Sequence, residues 1–266
     1  MKRTFAFAKK NFIKMIRAPI FFVFAIIFPM LFILVITIMN KSIGGYAGRG
    51  TWFEKFPALV PSAMMLCTCL VMYYMTTLVS KDRRSTVLKR QYASPMRTPE
   101  FLFGYTIVGF TFGLLLLLVS YFGGWMIAAC YHDDYIPFGK GMLLIVSQFP
   151  LLITLIFFGL FLGSFLNNGA GGVCAIMFIF ICFIGGCVWN LEASSNGIQT
   201  FCRCFPFWPS VYIGREISGA IKSNSQVPYE WDNVCKIGLV TIFVYMALNI
   251  TLASVFFSIQ CKKQLK

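Results

Sequence analysis

Few residues in this sequence are able to do chemistry, and they do not converge on one site. His132, Asp133 and Asp134 are consecutive, and an imidazole beside two carboxylates is able to bind a metal ion or move protons. A solvated turn accounts for the same residues, and we favour it because this histidine is the only one in the chain. No glycine-rich Walker A loop is present, and no nucleophile can be paired with a base. The sequence predicts a chain that is not an enzyme and holds no cofactor or metal itself.

The polar residues within the apolar stretches are neutral. Ion-coupled transporters and pumps commonly place carboxylates or paired bases inside their membrane spans, because such groups change charge in a low dielectric. No stretch predicted to span the membrane here contains one. We therefore expect the neutral groups to hydrogen-bond neighbouring helices. They include Ser62, Thr68, Thr76, Thr77, Thr106, Thr111, Ser120, Gln148, Thr154, Ser164, Asn249 and Thr251.

These residues belong to long charge-free stretches whose length fits membrane helices. Hydrophobic residues make up 58% of the 266 residues and charged residues 12%, a balance that fits a lipid-facing exterior. A helix needs about 20 apolar residues to cross the hydrocarbon core. The stretch between Lys140 and Glu192 holds two such helices, divided by a glycine-rich turn. The sequence predicts one all-α membrane domain, residues 1–266, with six spans at 19–39, 57–80, 101–129, 141–166, 170–190 and 237–260.

Lys and Arg are unevenly distributed between the two sets of loops. Of the 23 basic residues, 15 lie in the N-terminal segment, between the second and third spans, or at the C-terminus. The positive-inside rule then places both termini in the cytoplasm of a multi-pass cell-membrane protein. This topology and attraction to anionic membrane lipid explain the net charge of +14, so we do not expect nucleic-acid binding.

Three segments outside the spans carry helical patterns of their own. Residues 1–18 predict an amphipathic helix in the membrane interface, from an apolar stripe of Phe5, Ala8, Phe12, Ile13 and Ile16. The charged stretch 81–100 predicts a second amphipathic helix on the cytoplasmic side. The outer segment 191–234 is too apolar to stand in water and is broken by prolines. It predicts a pair of short re-entrant helices.

Most of the ten cysteines fall within or at the ends of the spans, where cysteine acts as a small apolar residue. Cys202, Cys204 and Cys235 lie on the outer side instead. A disulfide from Cys235 to either of the other two and three free thiols both remain open at this point.

The segment Asp82-Arg83-Arg84-Ser85-Thr86-Val87-Leu88-Lys89-Arg90-Gln91-Tyr92-Ala93-Ser94-Pro95 follows the second span. Its charged start, its Leu-Lys-Arg centre and its Ser-Pro ending resemble the cytoplasmic coupling segment of ABC-2 type transporter permeases. Thr86 and Val87 stand where that family usually has Gly and Thr, and Arg84 stands where an acid is common. The resemblance extends to Phe28-Pro29 in the first span, Phe56-Pro57 before the second and Pro206 before the sixth.

The resemblance implies the membrane half of an ATP-driven exporter. In that family two permease chains, identical or paralogous, assemble with two ATPase subunits, which bind ATP and Mg²⁺. It implies that the ATPase contacts the coupling residues Asp82, Arg83, Arg84, Leu88, Lys89, Arg90, Ser94 and Pro95. It also implies a substrate path between the two permeases. We place that path along the adaptable apolar residues Met64, Met65, Met72, Tyr73, Met177 and Phe178, with simple packing as the alternative for each.

Two functions fit these observations. The first is an exporter permease that couples ATP hydrolysis by a separate subunit to transport of an amphiphilic drug, lipid or peptide. The alternative is a stand-alone membrane channel or scaffold without an ATPase.

Overall fold

The computed structural model describes residues 2–17, 26–38, 56–84, 98–132, 135–166, 169–188, 191, 194–220 and 235–265. All regular structure within these ranges is helical, which confirms the all-α prediction for them. The helices are α1 (Lys2–Ile16), α2 (Ile26–Ile38), α3 (Phe56–Arg84), α4 (Thr98–Tyr131), α5 (Phe138–Ser147), α6 (Phe149–Phe165), α7 (Ala170–Ile184), α8 (Asn196–Arg203), α9 (Phe207–Ser218) and α10 (Lys236–Leu265).

Within the described residues, four stretches are long and apolar enough to cross a membrane. They are α3, α4, the consecutive pair α5 and α6, and α10 as far as Gln260. The first and fifth predicted spans fall on α2 and α7, which are apolar but shorter within the described residues. The α7 helix runs for 15 residues and ends before the predicted position 190. Its end is set by Gly185 and by Gly186, whose φ of 63° is a left-handed conformation that suits glycine.

The α3 helix lies at the centre of the bundle and packs on α4, α6, α7 and α9. Its approach to α6 is close because α6 presents glycines at two successive turns. A Cβ atom at Gly159 would lie 2.7 Å from the Met72 carbonyl oxygen, and one at Gly163 would lie 2.8 Å from that of Thr76. The Thr76 hydroxyl also donates to the Gly159 carbonyl at 3.1 Å. Small residues and hydroxyl groups thus join α3 to α6, as is common between membrane helices.

The fourth predicted span, 141–166, is interrupted. The chain enters α5 at Phe138 and turns at Gln148 before α6 begins at Phe149. Pro150 in the first turn of α6 has no N–H group to continue the hydrogen-bond pattern of α5. The break directs the Gln148 side chain, which is fully buried, towards α9.

The predicted outer segment contains two short helices, α8 and α9. The α9 helix is more deeply enclosed than a surface helix would be, because it packs on α3, α5 and α10. Its Trp208 is 1% exposed, and the Trp208 ring lies 5.3 Å from that of Tyr212.

The outer surface of the bundle is apolar. Large hydrophobic side chains are exposed along α10 and α7, and little of the α10 span is buried inside the chain. In water such a surface would be unfavourable, whereas hydrocarbon accommodates it. The exposed side chains include Ile176, Ile179, Phe183, Val240, Phe243, Val244 and Leu248.

The α1 helix differs from its sequence prediction in one respect. Ala8 was placed on a single stripe with Phe5 and Ile16, but Ala8 is buried with Phe7 and Met15 against α4. Phe5 and Ile16 remain exposed. The helix therefore has one face towards the protein and a second, separate apolar face outward.

Candidate functional site

The carboxylate of Asp82, in the last turn of α3, joins three helices. Asp82 is 3% exposed. Its Oδ1 atom accepts a hydrogen bond from Lys14 Nζ of α1 at 2.7 Å, and its Oδ2 atom accepts one from the Tyr105 hydroxyl of α4 at 2.9 Å. The Lys14 side chain is 37% exposed, so the ion pair has one buried and one hydrated partner.

The position of Lys14 depends on how α1 docks on α4. The Phe7 ring makes edge contacts with Phe101 at 5.3 Å and with Tyr105 at 4.9 Å. Gly104 leaves the space for that ring, because a Cβ atom there would lie 2.5 Å from Phe7 Cδ1. Phe7 therefore fixes α1 two helical turns before Lys14 and directs the ammonium group towards Asp82.

The neighbouring Arg83 joins α3 to two further helices. Its Nη1 atom donates to the carbonyl oxygens of Gly163, at 3.2 Å, and Ser164. These carbonyls belong to the last turn of α6, where helix carbonyls lack partners and carry partial negative charge. The Nη2 atom donates to Gln260 Oε1 of α10 at 3.3 Å. We call the set Lys14, Asp82, Arg83, Tyr105 and Gln260 the Asp82–Arg83 junction.

The junction lies next to the predicted coupling segment. Asp82 and Arg83 belong to α3 itself and contact other helices of this chain, and Arg84, the last residue of α3, is exposed. The other predicted coupling residues, Leu88, Lys89, Arg90, Ser94 and Pro95, lie outside the described residues. An ATPase contact by any of the eight stays a prediction. The charge pattern did not indicate that Asp82 and Arg83 would be engaged within the bundle.

At the opposite end of α3 lies a buried cation that the sequence pattern did not predict. Arg215 of α9 lies within the predicted outer segment 191–234, yet its exposure is 0%. Its Nη2 atom donates to Ser62 Oγ at 3.0 Å and to the Gly186 carbonyl at 2.7 Å, and Nε donates to the Ala58 carbonyl at 3.4 Å. We call this set the Arg215 site. The signal in the sequence was the apolar run immediately before Arg215, which indicates an enclosed helix.

Two neutral side chains reinforce the same end of the bundle. The Ser210 hydroxyl donates to Gln148 Oε1 at 2.9 Å, and Gln148 Nε2 donates to the Ser210 carbonyl at 3.2 Å. Both residues are buried. This reciprocal pair fixes α9 to the break between α5 and α6.

The six predicted substrate-path residues divide into two groups. Met64, Met65 and Met72 have 0% exposure and lie in the core of the chain. Tyr73, Met177 and Phe178 are half-buried, and the Phe178 ring lies 6.0 Å from that of Phe28. The structure thus leaves Tyr73 of α3 and Met177 and Phe178 of α7 partly exposed, and encloses the three methionines of α3. A role in transport for any of them stays a prediction.

The three outer cysteines, whose disulfide pairing the sequence left open, are free thiols. Cys202, Cys204 and Cys235 form no disulfide in the described structure. Burial raises the pKa of the Cys235 thiol to about 12, with a contribution from the nearby Glu216 carboxylate, and burial also raises the pKa of Cys202. Both thiols are therefore protonated and weakly nucleophilic at neutral pH.

The candidate site formed by His132, Asp133 and Asp134 is only partly within the described residues. His132 is exposed at the end of α4, with a positive φ of 53°, while Asp133 and Asp134 lie outside the described residues. Within the described ranges, no cluster of three or more His, Cys, Asp or Glu side chains is arranged to hold a metal ion.

The fold and these two polar sites define a class: a multi-pass helical membrane protein whose buried charges join helices to one another. A family model described as "ABC-2 family transporter protein" matches residues 51–259. The chain belongs to this family and is a membrane subunit of a transporter, a type of subunit that is not itself catalytic and that associates with ABC ATPase subunits. No curated protein matches the chain.

Proposed function

We propose that this chain is the permease subunit of an ABC exporter in the cell membrane, with both termini in the cytoplasm. A separate ATPase pair supplies ATP binding and hydrolysis with Mg²⁺, and two permease chains form the pathway for an amphiphilic substrate such as a drug, lipid or peptide. Residues 82–95 receive the movement of the ATPase.

The observation that carries this proposal is the Asp82–Arg83 junction. It lies at the C-terminal end of α3, immediately before residues 85–97. Through Asp82 the end of α3 is joined to α1 and α4, and through Arg83 it is joined to α6 and α10. A force applied to the segment that follows is therefore distributed over five helices.

Such a connection suits rigid-body movement better than local bending. The α3 helix is enclosed along its length and is in close backbone contact with α6 at Gly159 and Gly163. A displacement at Arg83 would move α3 and α6 together, because packed interfaces change between discrete arrangements and do not deform continuously. ATPase closure would then tilt several helices at once.

The partly exposed residues of α3 and α7 support the substrate part of the proposal. Tyr73 and Phe178 expose part of their aromatic surface, and the half-buried Met177 adds a thioether. Aromatic and thioether side chains accept apolar partners of varied shape. In this proposal Met64, Met65 and Met72 support that surface from within the core.

The test is a charge-removal variant of the coupling segment in the reconstituted complex. We expect Lys89→Gln/Arg90→Gln to lose ATPase copurification and transport, because the ATPase would lose its basic docking groups. The matched control is Lys262→Gln/Lys263→Gln, which removes two bases from the C-terminus on the same predicted side and is expected to retain both. Copurification in mild detergent and substrate-stimulated ATP hydrolysis are the measurements.

A channel or scaffold would behave differently. If the wild-type chain never retains an ATPase subunit, and the Lys89/Arg90 variant transports as well as the control, the exporter proposal is wrong.

A further inference from the structure

The outward face of α1 combines exposed apolar side chains with exposed bases. Three hydrophobic residues are between 39% and 63% exposed there, although α1 is docked on α4 through its other face. Three bases lie among them on the same side of the helix. We call these six residues the α1 basic face: Phe5, Ile13, Ile16, Lys9, Lys10 and Arg17.

This face carries charge of one sign. No Asp or Glu precedes Glu54 in the sequence. Within the described ranges, the side chains of Lys9, Lys10 and Arg17 form no ion pair or hydrogen bond, whereas Lys14 is paired with Asp82. A partner that fits must therefore supply negative groups together with an apolar layer.

We propose that the α1 basic face binds the headgroups of anionic phospholipids, and that α1 transmits this binding to the end of α3. The apolar side chains enter the boundary between headgroups and acyl chains, and the flexible bases extend to the phosphates. An acidic protein surface would pair with the bases but would leave the aromatic and aliphatic side chains without a matching layer. The regulatory part rests on the proposed coupling function, whereas lipid binding does not.

The transmitting contact is the ion pair between Lys14 and Asp82. The two atoms Nζ and Oδ1 are 2.7 Å apart, and the pair links α1 to the last turn of α3. Phe7 holds the same helix against Phe101 and Tyr105, and Tyr105 donates to the other oxygen of Asp82. The position of α1 in the leaflet therefore determines the geometry of the residue beside Arg83.

The binding test compares phosphatidylglycerol with phosphatidylcholine on the full-length purified chain. Each base near an anionic surface contributes about 1 kcal/mol, so Lys9→Gln/Lys10→Gln/Arg17→Gln is expected to retain phosphatidylglycerol on the order of 100-fold less well. Lipid retained in native mass spectrometry and the rise in melting temperature on adding phosphatidylglycerol are the readouts. The matched control removes three bases elsewhere, Lys41→Gln/Arg49→Gln/Lys55→Gln, and is expected to behave as wild type.

The transmission test uses the complex with its ATPase in bilayers of the two lipids. We expect phosphatidylglycerol to change ATP hydrolysis several-fold in the wild type. Lys14→Gln should retain the lipid in native mass spectrometry yet lose this response, and Lys14→Arg should restore it. Circular dichroism checks that each variant is folded.

The outcomes separate the two proposals. Equal phosphatidylglycerol retention by the triple variant and its control would overturn the lipid site, whether or not an ATPase binds. If the triple variant retains the lipid but loses the ATPase, the face is a protein-docking surface and the lipid proposal is wrong. If lipid binding is lost as expected but wild-type hydrolysis does not respond to phosphatidylglycerol, the transmission through Lys14 is wrong.

Discussion

A charged side chain joins several helices at each end of α3, but the two sites differ in their access to water. At the Arg215 site the guanidinium is fully enclosed, and its described acceptors, two backbone carbonyls and a serine hydroxyl, are fixed. At the Asp82–Arg83 junction, Lys14 is 37% exposed and Arg83 is partly buried.

This difference separates a permanent connection from an adjustable one. A buried charge that loses its partners cannot be hydrated, so its geometry must persist through any movement. At the junction the half-exposed ammonium group of Lys14 is able to exchange the carboxylate for water, while the buried Asp82 keeps its hydrogen bond from Tyr105. If the proposed function holds, we expect α3, α7 and α9 to stay together at one end and the contacts at the other end to change during transport.

The largest expected effect comes from removing the enclosed cation. Arg215→Met should lower the free energy of unfolding by about 3–5 kcal/mol, because it removes three hydrogen bonds to buried acceptors in the core. Arg215→Lys keeps the charge but loses the several N–H donors of the guanidinium group. Its free energy of unfolding should lie between that of Arg215→Met and that of the wild type. Thermal unfolding of the detergent-solubilised protein measures both. If Arg215→Met lowers stability less than replacement of an exposed base, as in Lys140→Met, the comparison is wrong.

A smaller loss of stability is expected at the other end of α3. Asp82→Asn should cost about 1–2 kcal/mol, since Lys14 is able to contact water and Tyr105 still has an acceptor. Coupling should suffer more than stability, because the link between α1 and α3 loses its charge. The measurement is substrate-stimulated ATP hydrolysis of the complex beside the melting temperature. If Asp82→Asn keeps full ATP hydrolysis but loses much of its stability, the junction is the permanent connection and our assignment of the two ends is wrong.

The smallest effect has the opposite sign. Asn11 of α1 is fully buried, and its two amide atoms have no hydrogen-bond partner in the described structure. Replacing it with leucine, Asn11→Leu, should stabilise the protein by about 1–2 kcal/mol, because an unpaired buried amide is removed. Thermal unfolding and protease resistance near the N-terminus are the measurements. Destabilisation would mean that the amide has a partner in the membrane, such as an ordered water or a lipid headgroup.

The α1 helix illustrates what periodicity was able to predict. Its helical form and its apolar stripe followed from the spacing of Phe5, Phe12 and Ile16. The second stripe, Phe7 and Met15, was missed because amphipathic analysis assigns one apolar face to a helix. Only the packing of α1 on α4 shows that this helix has two apolar faces.

The buried charges illustrate what local pattern could not predict. Asp82 and Arg83 were identified from a family-like segment, and their proximity to the second span was correct. Their partners Lys14, Tyr105, Ser164 and Gln260 are between 23 and 177 residues away in the chain, and no spacing within the segment encodes such contacts. The same holds for Arg215 and Ala58.

By itself, the sequence determined that this protein is helical and embedded in a membrane, because charge-free stretches of the necessary length can be satisfied only in lipid. It also determined where the basic charge is concentrated. The tertiary structure alone decided which of those charges face outward and which join helices, and where α7 ends. The physical reason is that burial depends on the surfaces brought together by folding, and a charge is tolerated inside wherever distant parts of the chain supply its hydrogen bonds.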